Sequence, residues 1–347
     1  MEDKSVFMYE NSLIMDAASS WGYIREPVLA LMPDGKLICT FLSGGKQEPE
    51  NGNVTLKVMS TDGGRHWSDP EVLFYHRARA AYTTEIFTGG EHPKMFVHTY
   101  AAESRYREIC TFVSETIDNG ETWSDPISLP GPFAHVNTRQ GILLSDGNWL
   151  FPVYWQEVDR KWDWEQIPTE NSIHMDWPSV CGVLLSEGAG VHMQCYGELR
   201  SKEYPLMENA CIELEKEHIA MLIRAEGCNF LYRSDSYDNG KHWSPAGPCN
   251  IPSVSSKFVL KKYKDKILLI HNAVQGEGMQ SRTGLSIWVS EDNMQSWNRR
   301  YPLVKEGVIM FYPHAAVDEQ KGILYLACEN ARQSYCVRID LQALLTE

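Results

Sequence analysis

Glu48 and Glu50 lie two residues apart in a polar loop, Gly44-Gly45-Lys46-Gln47-Glu48-Pro49-Glu50-Asn51-Gly52-Asn53. A carboxyl group there could protonate a leaving group if partial burial raised its pKa. The plainer reading is a solvated loop. His135, in Phe133-Ala134-His135-Val136-Asn137, could act as a general base or a polar ligand contact, or be an ordinary loop histidine. Trp155, Trp162, Trp164 and Trp177 crowd one polar stretch and could either stack on sugar rings or pack the loop that carries them. His76, Arg77 and Arg79 add a short cationic run that reads as solvated. There is no glycine-rich phosphate loop and no His/carboxylate cluster at metal-ligand spacing, so neither a cofactor nor a metal is expected. The nine cysteines include no CxxC pair and sit mostly in apolar runs, which suggests buried, reduced thiols.

Composition limits the partners. Apolar residues make up 43% of the 347 residues and aromatics 11%, enough for a large folded core. The net charge of -14 argues against nucleic acid or an anionic membrane as a bulk partner, since both need a basic face. The opening MEDKSVFMYENSL has no basic segment followed by an apolar one, and no apolar run approaches the roughly 18 residues of a membrane helix. A cytoplasmic location is the expectation.

These side chains need a scaffold, and the scaffold is written as a repeat. Ser60-Thr61-Asp62-Gly63-Gly64-Arg65-His66-Trp67 has the form S-x-D-x-G-x-x-W. It returns at Thr116–Trp123 and Ser236–Trp243, and again at Ser290–Trp297 with Met294 in the glycine position. The Trp-to-Trp intervals are 56, 120 and 54 residues, so the middle one spans two units. The missing copy falls near Val183–Gly188. Each box follows an alternating apolar run, and Asp-Gly or Asn-Gly favours a tight turn, so each box is read as a β-hairpin turn. Further turns at Pro33-Asp34-Gly35, Ser145-Asp146-Gly147, Lys264-Asp265-Lys266 and Gln320-Lys321-Gly322 supply the first hairpin of a unit. A period of about 57 residues accommodates four strands and divides the chain into about six units. The expected fold is all-β: one six-bladed propeller of four-stranded antiparallel blades spanning residues 1–347. The segment from Trp155 to Trp177 is expected to be a long loop over one face.

These boxes at this spacing resemble the Asp-box repeats of the sialidase (neuraminidase) superfamily. The resemblance implies a site with three arginines that grip a substrate carboxylate, because planar guanidinium forks match carboxylate oxygens. Arg25, in Tyr23-Ile24-Arg25-Glu26-Pro27, matches the first, although Glu26 stands where the family often has Ile. Arg224 matches the second, 16 residues after Glu208, and Arg282 the third. Tyr312 matches the nucleophile, with Glu208 as its base. Glu329, 17 residues after Tyr312, matches the acid that braces the arginines. A phenol pKa of about 10 explains the need for a base. The family's acid/base is an Asp about two dozen residues after the first arginine. This sequence has none there, and Glu48 or Glu50 is the candidate.

The resemblance implies an exo-acting retaining glycoside hydrolase on an acidic sugar, a carbohydrate carrying a carboxylate. Two alternatives remain at this point. One is a glycosidase or polysaccharide lyase for another sugar, in which His135 could take part. The other is a carbohydrate-binding propeller without catalysis.

Overall fold

The computed structural model describes residues 6–19, 21–48, 50–104, 109–156, 179–188 and 192–346. Apart from three-residue to five-residue 3-10 turns and a terminal helix, Leu341–Thr346, these residues are strands and loops. The strands form six antiparallel sheets, five of four strands and one of five, each a propeller blade. The first strands of the blades are Ile24–Leu31, Ala80–Phe87, Asn137–Thr138, Leu206–Glu215, Val259–Tyr263 and Phe311–Asp318. Their starts are 56, 57, 69, 53 and 52 residues apart. The long interval contains the segment 157–178, so the expected loop, with Trp162, Trp164 and Trp177, lies outside the described residues. In the third blade the first strand is split: Asn137–Thr138 and Ile142–Leu143 both pair with Trp149–Gln156.

Ring closure is not visible in the repeat. The sixth blade takes its outermost strand from the other end of the chain, where Glu10–Asp16 pairs antiparallel with Gln333–Asp340. A blade assembled from both ends ties the circle shut and covers an edge that would otherwise expose unpaired backbone groups.

The core lies between blades. Strand side chains alternate sides, and both faces of each sheet are covered. In the first blade, Leu29 and Cys39 pack with Tyr325 and Ala327 of the sixth. Their neighbours Val28 and Ile38 pack with Ile86, Met95 and Val97 of the second. The same alternation joins Phe87 and Phe96 to Phe151 and Leu184, and Leu268 and Ile270 to Leu324 and Leu326. This two-sided burial explains why so many strands read as continuous apolar runs rather than clean alternations.

The boxes are turns between third and fourth strands, and they also dock each blade on its predecessor. In the fourth blade Asp238 Oδ1 accepts the amides of Lys241 and His242 at 3.1 and 2.8 Å and the Ser236 hydroxyl at 2.9 Å. Ser236 Oγ in turn accepts the Gly240 amide at 2.9 Å. Gly240 has φ +88°, and a Cβ there would meet Leu150 Cδ1 of the third blade at 2.9 Å. The fourth box keeps the same bonds although Met294 replaces glycine. Met294 adopts φ 63° and its amide reaches Ser290 Oγ at 2.8 Å. Its side chain is buried between the fourth and fifth blades. The turn is therefore specified by the Asp and Ser, and the glycine position tolerates a side chain where the neighbour leaves room. Asp238→Ala removes a charged acceptor from three donors and is expected to cost about 1–3 kcal/mol, measured by urea denaturation.

Candidate functional site

The first strands line the axis and contact one another around the ring, except that Leu206–Glu215 of the fourth blade meets the third through Trp149–Gln156. Three of them are bulged near their starts. Pairing register shifts between Arg25 and Val28, between Met207 and Ala210, and between Phe311 and His314. Inside these bulges Glu26, Glu208 and Tyr312 have φ of 53°, 45° and 52°. Non-glycine residues in this region carry a cost of about 1–3 kcal/mol each. A bulge also re-aims a side chain that a regular strand would send into a core between blades.

Three arginines from different blades meet at Tyr312. The Arg25 guanidinium carbon lies 5.3 Å from the Tyr312 ring centroid, and that of Arg282 lies 4.9 Å from it. Both also face Phe311, at 5.3 and 5.1 Å. Arg224 Nη1 is 3.5 Å from the Tyr312 hydroxyl. All three are buried. Arg224 is saturated by acids: it pairs with Glu208 and donates to Glu226 through Nε at 2.8 Å. Arg25 sits between Glu48 at 3.6 Å and Glu329 at 3.8 Å. Arg282 Nη2 donates to the Ser255 carbonyl at 2.9 Å. Nε and Nη1 of both Arg25 and Arg282 are buried and make no hydrogen bond among the described residues. Four buried guanidinium nitrogens thus lack a hydrogen-bond partner among the described residues, and the two on Arg25 face Glu48 and Glu329 only at ion-pair distance.

The acids around this centre are in different states. Burial works against ionisation of Glu208, but Arg224 and Arg139 outweigh it and hold its carboxyl well below the usual range. Glu329 is pushed up, because burial exceeds the opposing pull of Arg25. Its Oε1 accepts the Glu26 amide at 2.9 Å, which fixes the bulge that aims Arg25. Burial, reinforced by the negative charge of Glu208, raises the Tyr312 phenol above its ordinary value. No hydrogen bond joins Tyr312 to Glu208; the two share Arg224 Nη1.

The sequence reading missed three charged residues at this centre. Arg139 follows the first strand of the third blade and bridges Glu26 and Glu208, with 3.8 Å contacts to both. Lys257, just ahead of the fifth blade, lies 3.8 Å from Glu26 and 5.2 Å from the Tyr312 ring centroid. Glu26, noted only as a departure from a motif, is the acid that joins them. Each lies in or within two residues of a first strand, near the end at which Arg25, Glu208 and Tyr312 sit. Aligning charges by their position in the repeat could have found them.

The profile of the BNR repeat-like domain matches residues 94–326. The chain belongs to this family. Several solved structures superpose over nearly the whole chain. A Hadza microbial sialidase gives a TM-score of 0.74 at 13% identity, covering 94% of this chain and 67% of its own. The NanB sialidase of Streptococcus pneumoniae gives 0.72 at 13%, covering 99% and 72%. The leech intramolecular trans-sialidase gives 0.72 at 12%, covering 97% and 71%. At such identities the likeness establishes the fold alone. No curated protein sequence matches the chain.

Within this BNR-repeat propeller the remaining sequence candidates separate. Glu48 reaches Arg25 and is mostly buried. Glu50 turns back on its own loop, where its Oε2 accepts the Lys46 amide at 2.7 Å and its amide donates to Asn53 at 2.8 Å. His135 is exposed, and its Nδ1 faces the Ile109 carbonyl at 2.8 Å, not the arginines. Asn137 accepts the Tyr82 hydroxyl at 2.7 Å. Trp155 packs against the core between the second and third blades. His76 and Arg77 are exposed, and Arg79 bonds Thr99.

Proposed function

We propose that this chain is an exo-acting retaining glycoside hydrolase for a sugar that carries a carboxylate, with a sialoside as the first substrate to test. The observation that carries the reading is the convergence of Arg25, Arg224 and Arg282 on Tyr312, with Nε and Nη1 of Arg25 and Arg282 buried and without a hydrogen-bond partner among the described residues. A ligand carboxylate accepts from guanidinium N–H groups in their own plane. It would also set the anomeric carbon beside a phenol rather than a carboxylate, which the substrate's own charge would repel.

In the proposed reaction, Tyr312 Oη bonds to the anomeric carbon as the glycosidic C–O bond breaks. Glu48 gives its proton to the leaving oxygen, and the phenol proton passes to Glu208. Glu48, now ionised, takes a proton from water, whose oxygen displaces Tyr312, and the phenol regains its proton. The missing hydrogen bond between Tyr312 and Glu208 must form as substrate enters. Such contacts are often loose before binding.

The placement of the two loop acids supports giving the acid/base role to Glu48 rather than Glu50. Glu48→Gln is expected to lower kcat/KM on a fluorogenic methylumbelliferyl α-sialoside by about 10²–10⁴-fold. Azide or a substrate with a better leaving group should restore part of that loss. Glu50→Gln should stay within a fewfold of the native enzyme. The reverse ranking would move the role to Glu50.

One observation favours a second reading. With Glu208 committed to two arginines and Tyr312 free of any carboxylate, Tyr312 could instead remove the proton α to a uronate carboxylate, with the leaving sugar expelled from the β carbon. Acidic polysaccharides assayed for the ultraviolet absorbance of an unsaturated product separate elimination from hydrolysis.

A further inference from the structure

Glu26 is the residue at which the arginine motif departs from its family, and it does not touch the proposed substrate clamp. Instead it points away from Arg25. Its Oε2 lies 3.8 Å from Lys257 Nζ and 3.8 Å from Arg139 Nη1, and it makes no hydrogen bond. Lys257 is 4% exposed and its Nζ also makes no hydrogen bond. A lysine buried this deeply is seldom found without a paired acid. Hydrophobic residues of equal volume would pack such a position at no desolvation cost. The ammonium is therefore retained against an energetic gradient, and among the described residues it lies beside one aromatic ring, that of Tyr312, at 5.2 Å from the centroid.

We propose that Lys257, held in place by Glu26, is a positioning residue that stabilises the negative charge developing on the Tyr312 oxygen. This rests on the reading of Tyr312 as the reacting group and extends it. Arg25 and Arg282 face the same ring, but the proposed substrate carboxylate neutralises them when it binds. Arg224 is already neutralised by Glu208 and Glu226. Arg282 and Arg224 are the cations that most oppose the rise of the Tyr312 phenol in the free protein, and Lys257, paired with Glu26 at 3.8 Å, is the further cation over the ring that remains when the substrate carboxylate engages the arginines. Its charged surroundings are Glu26, Glu208 and Glu329, with Arg139 opposing. Farther along the axis it is felt by Glu85, His314 and Cys39. Burial lowers its pKa, and Glu26 is the strongest influence raising it again. The sign for Glu26 follows: without that carboxylate the lysine loses its proton at lower pH.

The test reads Tyr312 directly. Fluorotyrosine is incorporated so that the phenol titrates within the range the fold withstands, and its ionisation is followed by fluorine NMR, with Tyr312→Phe assigning the signal. Lys257→Met is expected to raise the Tyr312 titration by about one unit, a tenfold smaller phenolate fraction at a given pH. Lys257→Arg should keep it within a few tenths of the native value. In turnover, Lys257→Met should lower kcat about tenfold with KM within about twofold, an effect of about 1.4 kcal/mol on the barrier. Glu26→Gln should move the alkaline limb of kcat to lower pH. The double variant Glu26→Gln/Lys257→Met removes both buried charges and serves if the single lysine change does not fold. An unchanged Tyr312 titration in folded Lys257→Met or in the double variant overturns the proposal. Because the titration needs no substrate, it decides the role of Lys257 even if the native protein hydrolyses no sialoside.

Discussion

Tyr312→Phe is expected to lower kcat on the α-sialoside by at least about a thousandfold, the order of loss when one member of a catalytic unit is removed. The substitution is clean. Phenylalanine preserves the ring that Arg25, Arg282 and Lys257 face. It removes a hydroxyl whose one hydrogen-bonding contact among the described residues is Arg224 Nη1 at 3.5 Å, and Arg224 keeps both of its acids. The clamp should therefore survive, and affinity for a free sugar acid, measured by calorimetry, should change no more than a fewfold. Loss of turnover with retained binding is the signature of an interaction made only in the transition state. Full activity in the variant would remove Tyr312 from the mechanism. Loss of binding together with turnover would instead show that the hydroxyl organises the clamp.

The blades were legible because their signals are local. An Asp that collects one or two amides within five residues, and a Trp three residues past the glycine position, recur where the third strand turns into the fourth in the first, second, fourth and fifth blades. The unit survives even the replacement of glycine by Met294. Closure of the ring was not legible. The pairing of Glu10–Asp16 with Gln333–Asp340 joins opposite ends of the chain, and nothing in Glu-Asn-Ser-Leu-Ile-Met-Asp marks it as the strand that completes a blade begun three hundred residues later.

The site divides along the same line. Arg25, Arg224, Arg282 and Tyr312 could be placed because a family resemblance supplied their order, and the propeller brings them together. Glu26, Arg139 and Lys257 could not, since they meet only across the axis. Arg139 sits in Asn-Thr-Arg-Gln and Lys257 in Ser-Ser-Lys-Phe, contexts that read as strand ends with a solvated cation. Only ring closure places Arg139 within 3.8 Å of acids from the first and fourth blades. The choice between Glu48 and Glu50 had the same origin. Both lie at a suitable distance along the chain, but Glu50 Oε2 accepts the Lys46 amide of its own loop, whereas Glu48 lies 3.6 Å from Arg25.

Glu208→Ala should be the most destabilising single change at the axis, by about 3–5 kcal/mol in urea denaturation near neutral pH. The carboxylate is buried, pairs with Arg224 and lies 3.8 Å from Arg139. Removing it leaves two guanidinium groups under-compensated where water does not reach. Arg224 retains Glu226 and Arg139 retains Glu26, which places the expected cost toward the lower end of that range. The dependence on pH distinguishes lost charge from lost packing. Because the folded carboxyl is held below its ordinary value of 4.5, the unfolded chain binds more protons than the native one in the window beneath it. The carboxylate's contribution is therefore complete above that window and declines as pH falls toward the folded value. The stability gap between native protein and Glu208→Ala should be constant from neutral pH down to the ordinary carboxylate range and should narrow below it. Glu208→Gln, which keeps the volume, should show the same narrowing. A gap of equal size at every pH would mean that Glu208 acts by filling space, and the proposed role of its charge beside Tyr312 would fall with it.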